Sequence, residues 1–191
     1  MKHWRNGIHQ ISGAVVVDGV VREKFDFRVK PNPKAVIEDE ALEIGGVSRE
    51  EIEQYDDMSV VYKKLLKILG RHVDRFNRAD KFHLVGYNNA SFDNPFFRAF
   101  FSQNGDMFFG SWFWSDSHDV MVLASRYLMA ERGLMKDFKL KTVAAYLGVD
   151  VDESRLHDAQ YDIYLTMEIY KIVAGVDIKY KEDEEDFEDL L

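Results

Sequence analysis

Phe82-His83-Leu84-Val85-Gly86-Tyr87-Asn88-Asn89-Ala90-Ser91-Phe92-Asp93-Asn94-Pro95 is the stretch that decides the fold. Phe82 to Tyr87 is a short apolar run and reads as a strand. Asn88 and Asn89 then break it, as turn formers do. Pro95 suits a first helical position with Asn94 as its cap, so a helix should follow and stop near Asn104-Gly105. A strand that runs straight into a helix is a signal of α/β architecture. Ligand sites in such sheets gather at the carboxyl ends of strands. Asp93 stands at such an end, although an acid before Asn-Pro is also an ordinary helix cap.

Upstream, Ile8 to Val17 and Val20 to Val29 read as two strands joined by the two-residue turn Asp18-Gly19. Lys30-Pro31-Asn32-Pro33 ends the hairpin, because proline cannot donate to a ladder. Residues 34–57 read as short polar turns around Gly45-Gly46. Ser59 is placed to cap a helix reaching about Asn77, with Tyr62, Leu65, Leu66, Leu69, Val73 and Phe76 on one face. Downstream, a helix is expected from about Val120 to Glu131, and a shorter one over Leu140 to Leu147 with Gly148 at its end. The last helix starts near Asp158 and carries Tyr161, Tyr164, Leu165, Ile169, Ile172 and Val173 on one face. A hairpin followed by alternating helices and strands predicts an α/β fold with a mixed sheet.

Composition sets limits on function. The chain has 191 residues, 46% hydrophobic, with no cysteine, which excludes disulfides and thiolate metal sites. No apolar run approaches a membrane span, and Met1 to Gly7 lacks the apolar core of a secretory signal, so a cytoplasmic protein without a membrane role is expected. The net charge is -9, but residues 182–191 hold seven acids and no base, so the rest of the chain carries only -2. Residues 1–175 are expected to form one domain, and 176–191 an acidic, disordered tail.

The segment Leu156-His157-Asp158-Ala159-Gln160-Tyr161-Asp162 places a histidine five residues before an aspartate at a helix entrance. Five helical residues subtend about 140°, so the two side chains converge only if His157 lies in the preceding loop. A proton acceptor beside a metal-binding carboxylate is what water-driven phosphodiester cleavage needs. Alone, the pair is more often ordinary helix-end electrostatics, with Asp158 or Asp162 facing the positive terminus. Trp112 and Trp114 are likewise more often core or groove wall than a base-stacking platform.

The order of these segments is more specific than any one of them. Asn89-Ala90-Ser91-Phe92-Asp93, then Ser117-His118-Asp119-Val120, then Phe138-Lys139-Leu140-Lys141-Thr142-Val143 with Leu147-Gly148, then His157-x4-Asp162, resembles the DnaQ-like (DEDDh) 3′–5′ exonucleases. So do Ile8-His9-Gln10-Ile11-Ser12-Gly13-Ala14-Val15 and Ala41-Leu42-Glu43-Ile44-Gly45-Gly46-Val47-Ser48. The resemblance covers residues 8 to 174. It implies a ribonuclease H-like mixed sheet flanked by helices, and a metal-dependent exonuclease acting on single-stranded DNA or RNA 3′ ends in proofreading or repair, with a DNA polymerase as a candidate partner. It implies two Mg²⁺ or Mn²⁺ ions, with Asp93 and Asp162 as ligands and His157 taking the proton from the attacking water. Asn89 and Phe92 would shape the nucleotide pocket.

The family pattern has four acids, and two are in place. The first pair, an Asp-x-Glu on a central strand before the hairpin, is absent from Met1 to Gly7, and no Asp-x-Glu on an apolar run occurs elsewhere; Asp186-Phe187-Glu188 lies in the acidic tail. The resemblance therefore implies an N-terminally incomplete domain lacking its first central strand, with weak or no activity in this form. A misassigned start, a truncation and a naturally degenerate relative all account for that. The competing reading is a non-catalytic module of the same fold that binds nucleic acid or a partner. A non-nucleolytic metal hydrolase ranks last, because His3, His9, His72, His83 and His118 show no ligand spacing.

Overall fold

The computed structural model describes residues 6–156 and 158–180. Its architecture is mixed α/β, in two compact units. One comprises Met1–Ile11, Asp26–Leu84 and Asn89–Ser117, the other Ser12–Phe25, Val85–Asn88 and His118–Leu191. His157 and residues 181–191 of the expected tail lie outside the described residues, whereas at the start of that expected tail Ile178 is buried and Lys179 is hydrogen-bonded to Val21 and Gly19.

The hairpin forms as expected, with β1 over Gln10–Val17 and β2 over Val20–Lys30. Asp18 and Gly19 both take positive φ, 53° and 74°. That is the backbone a two-residue hairpin turn requires, and Asp-Gly supplies it cheaply. The turn segment is tied down in its own unit by paired bonds, Val21 N to Lys179 O and Lys179 N to Gly19 O, both 2.8 Å. At the other end of β2, Val29 and Lys30 pair in parallel with β3, Asp56–Asp57.

The segment read as polar turns holds two short helices, α1 over Asp39–Gly45 and α2 over Arg49–Ile52. Gly46, at φ 63°, closes α1, and the Ser48 side chain caps α2. Next comes α3, Met58–Leu69, which buries Val61, Leu65, Ile68 and Leu69. It stops at Gly70, well short of Asn77, because the following residues hydrogen-bond among themselves. Asp80 accepts from Asp74 N at 2.8 Å and Asp74 accepts from Phe76 N at 3.0 Å. Such side-chain bonds compete with helix continuation. Phe76, expected on the buried helix face, is 88% exposed.

The deciding stretch folds as a strand, a loop and a helix. Phe82 bridges Phe113, and the paired strand β4, Val85–Gly86, runs parallel to β5, His118–Asp119. α4 spans Asp93–Gln103, so it begins two residues before Pro95. Proline is still in the first turn there, where its missing N–H has no helical acceptor to lose. Asn104 ends the helix and Gly105, at φ 79°, turns the chain away. Among the described residues the strands make two sheets, β1-β2-β3 and β4-β5.

The helices of the second unit are α5 over Val120–Tyr127, α6 over Leu140–Tyr146 and α7 over Ala159–Ala174. α5 ends before the expected Glu131, and a 3₁₀ turn, Arg132–Leu134, follows. Their shared core is Val120, Ala124, Leu128, Val143, Ala144, Tyr161, Leu165 and Ile169. Fully burying a leucine such as Leu165 stabilises by about 2–3 kcal/mol. On its other side α7 buries Met167 against Val21 and Ile178. In the first unit, Phe97, Phe101, Phe109 and Phe113 pack edge-on or tilted with centroids 4.6–6.0 Å apart. Among the described residues, no helix is long and apolar enough to cross a membrane.

Candidate active site

Asp162 lies in the first turn of α7, a helix that buries Tyr161, Leu165, Met167 and Ile169. The capping of that helix is done by another residue. Asp158 accepts from Gln160 N at 2.8 Å and from Tyr161 N at 3.0 Å through one carboxylate oxygen. Asp162 is one turn further on and half-buried, its backbone N–H bonded to Asp158 O at 2.9 Å. The capping bonds at this helix start are thus made by Asp158. Gln160 adds a tether, donating to Phe25 O at 2.9 Å.

Asp93 is the first residue of α4 and is exposed. Phe92 occupies the cap position at φ -123°, ψ -72°, and no side chain caps the helix. The loop is closed instead by backbone, Asn94 N donating to Asn89 O at 2.9 Å. Asn89 is 3% exposed, and its buried Oδ1 has no hydrogen-bond partner in the structure. Buried acceptors are nearly always satisfied, so an orphan in a loop next to a candidate site fits a group that a ligand completes. Phe92 is 43% exposed and packs its ring on Phe96 at 5.2 Å. Asp93 and Asn89 belong to the first unit and Asp162 to the second.

A residue that the sequence reading did not single out organises the end of β4. Asp119 is buried, and one of its oxygens accepts three N–H bonds, from Met121 at 3.1 Å, Val122 at 3.4 Å and Asn88 at 3.0 Å. The first two cap α5. The third reaches the residue after Tyr87 and holds it where φ is 60°, a left-handed conformation that asparagine tolerates well. The available signal was an Asp immediately before the apolar run Val120-Met121-Val122. Nothing in the local pattern indicated the bond to Asn88, which is 31 residues away.

Two tyrosines brace the same unit. The Tyr87 hydroxyl donates to Phe138 O at 2.6 Å, and burial pushes its pKa well up, so it stays a donor. Tyr170 of α7 meets His118 Nδ1 at 2.5 Å, and burial raises the tyrosine likewise. Asp137, just before α6, accepts from Thr142 Oγ1 at 2.6 Å and Lys139 N at 3.1 Å. Those bonds, the hydroxyl first, hold its carboxyl below the usual range.

Carboxylate oxygens such as those of Asp93 and Asp162 suit a hard divalent cation. Two carboxylates fall short of a clamp for two ions. Among the described residues, no group of three His, Cys, Asp or Glu side chains is arranged to hold one.

Residues 5–170 match the family described as Exonuclease. Among solved structures, the chain is similar to E. coli exonuclease I in complex with a dT13 oligonucleotide, at 19% identity and a TM-score of 0.70, covering 92% of this chain and 39% of that one. A complex of the same enzyme with a dA16 oligonucleotide gives 20% identity, a TM-score of 0.67, and coverage of 88% and 37%. The zinc ion bound form of the E. coli ExoI–ssDNA complex gives 21%, 0.61, 81% and 33%. At these identities the likeness is one of fold, and the chain spans between about a third and two-fifths of the length of these structures. No curated protein matches by sequence.

Proposed function

Because the chain belongs to the exonuclease family, as the ordered motifs implied, we propose that it acts as a metal-dependent 3′–5′ exonuclease on single-stranded DNA or RNA ends. The observation that carries the reading is the division of labour at the start of α7. Asp158 makes the capping bonds, so Asp162, in the first turn, is not the residue that closes the free N–H groups of the helix.

In this reading Asp162 and Asp93 are ligands for Mg²⁺ or Mn²⁺. The bound ion would polarise the scissile phosphate and offset its charge. His157 takes a proton from water as the water oxygen bonds to phosphorus and the 3′ oxygen of the next nucleotide leaves. The ordinary histidine pKa, about 6.5, suits that role near neutral pH. Asn89 offers its unpartnered Oδ1 to the terminal nucleotide and Phe92 offers a ring face for its base. Asp119 is a positioning residue, setting the course of the chain as it leaves β4.

Two carboxylates do not complete a two-ion site, so the reading includes a further Asp-x-Glu on an additional apolar strand. Hydrolysis of a single-stranded oligonucleotide is measured with Mg²⁺ and with Mn²⁺, for the chain itself and for a form extended by such a strand. The expected result is slow digestion at most by the chain, faster digestion by the extended form, and loss in Asp162→Ala. If neither form digests and Asp162→Ala changes nothing, the reading fails. Oligonucleotide binding that ignores both Mg²⁺ and Asp93→Ala would instead identify a non-catalytic module.

A further inference from the structure

The first unit carries a second surface that the candidate site does not use. Residues 63–81 hold seven lysines and arginines against two aspartates, in a chain of net charge -9. Three side chains beside this run are strongly exposed and apolar: Phe76 at 88%, Met107 at 76% and Phe108 at 69%. Single exposed apolar residues are unremarkable, but three on two loops linked by the Arg75–Asp106 ion pair make a candidate contact surface.

Both loops are held in place. Asp106 joins them, accepting from Tyr62 Oη at 2.6 Å and Phe108 N at 2.7 Å, with Arg75 Nη1 at 3.7 Å. The Arg75 guanidinium also lies over the Trp112 ring at 5.2 Å and the Phe76 ring at 5.7 Å. Asp74, Asn77 and Asp80 stitch residues 74–80 together through backbone N–H bonds of 2.8–3.1 Å. The aspartates of the loop are thereby committed to backbone, whereas Arg78 beside Phe76 is exposed, as are Lys63 and Lys67 on α3. Ordered aromatic faces among cations are how sequence-tolerant single-strand binders work: bases stack on the rings and cations follow the phosphates.

We propose that the Phe76–Arg78 loop, with Phe108, is an anchoring surface for single-stranded nucleic acid, separate from the residues assigned to hydrolysis. It rests on the reading of the chain as a nucleic-acid enzyme, and it assigns to this surface binding alone. Anchoring here would raise the local concentration of the strand for the rest of the molecule.

The test is fluorescence anisotropy of the full chain with a labelled oligothymidylate in EDTA, so that no turnover occurs. Phe76→Ala should weaken binding by about fivefold or more. Arg78→Ala should weaken it and lower the dependence of log affinity on log salt by about one. An abasic oligonucleotide of equal length should bind wild type and Phe76→Ala alike. Both substitutions are at exposed positions, and an unchanged melting temperature verifies the fold. Unchanged affinity in Phe76→Ala overturns the proposal, as does an equal loss on the abasic strand. So does a result in which these variants alter only self-association or capture of an acidic peptide, which would make the patch a protein interface. Failure here leaves any Asp162-dependent hydrolysis untouched, so the two readings are separable.

Discussion

The starts of α4 and α7 each present an acid in the first turn, yet they are built differently. At α7 the two tasks are divided, with Asp158 bonding the free N–H groups and Asp162 standing one turn on. At α4 there is no side-chain cap, and Asp93 itself opens the helix on an exposed loop closed by Asn89 O. In the first arrangement the capping residue and the candidate ligand are different residues. In the second, the candidate Asp93 sits near in sequence to an orphaned Asn89 Oδ1 and a half-exposed Phe92 ring.

The largest effect that could break this comparison is on hydrolysis. In the strand-extended form, Asp162→Asn and Asp93→Asn should each lower kcat by about a hundredfold or more, given the several kcal/mol a metal-polarised phosphate contributes. Activity that survives Asp93→Asn and disappears with Asp162→Asn would show that only the α7 start serves the chemistry. A third helix start comes next. Asp119→Ala removes a buried acceptor of three N–H groups and should destabilise by about 2 kcal/mol, read as a lowered midpoint in urea. Asp158→Ala should cost about 1 kcal/mol, seen as a drop in Tm of about 2–4 °C, while kcat stays near wild type. An Asp158→Ala variant that loses activity and keeps its Tm would reverse the assignments of Asp158 and Asp162.

The smallest effect sets the baseline against which carboxylate titrations are read. Burial, and then the Arg28 charge, lower the His9 pKa in the fold from the ordinary 6.5. The unfolded chain therefore takes up the proton first as the solution is acidified. The stability that neutral His9 supports is complete above about pH 6.5 and declines as pH falls toward the lowered value. His9→Asn should flatten that part of the curve in urea unfolding across pH. A profile unchanged by the substitution would place the titration elsewhere.

Where local chemistry decides, the sequence was a good guide. Asp18-Gly19 could hardly be anything but a tight turn, and the buried stripe of α7 is visible in its spacing. The ordered motifs also led to the family. The α3 boundary was misleading because Val73 and Phe76 keep helical spacing, while the Asp74 and Asp80 carboxylates capture backbone N–H groups in the folded loop. α1 and α2 escaped notice because helices this short lack a full apolar period. In the candidate site, Asp93, Asn89 and Asp162 were legible as types at meaningful positions. The Asp119–Asn88 bond was not, since it joins residues distant in the chain, and an unpartnered Asn89 oxygen can be recognised only once burial is known.

Asn88 bears a further consequence, for how the sequence can change. A residue at φ 60° whose N–H is bound by a buried carboxylate has few permitted replacements. Glycine and aspartate can occupy that backbone, and β-branched residues cannot without strain. Mutational scanning should therefore find position 88 confined to a few small or short polar residues. That filter should relax only in backgrounds where position 119 has also changed, making the pair a coupled unit of mutational tolerance.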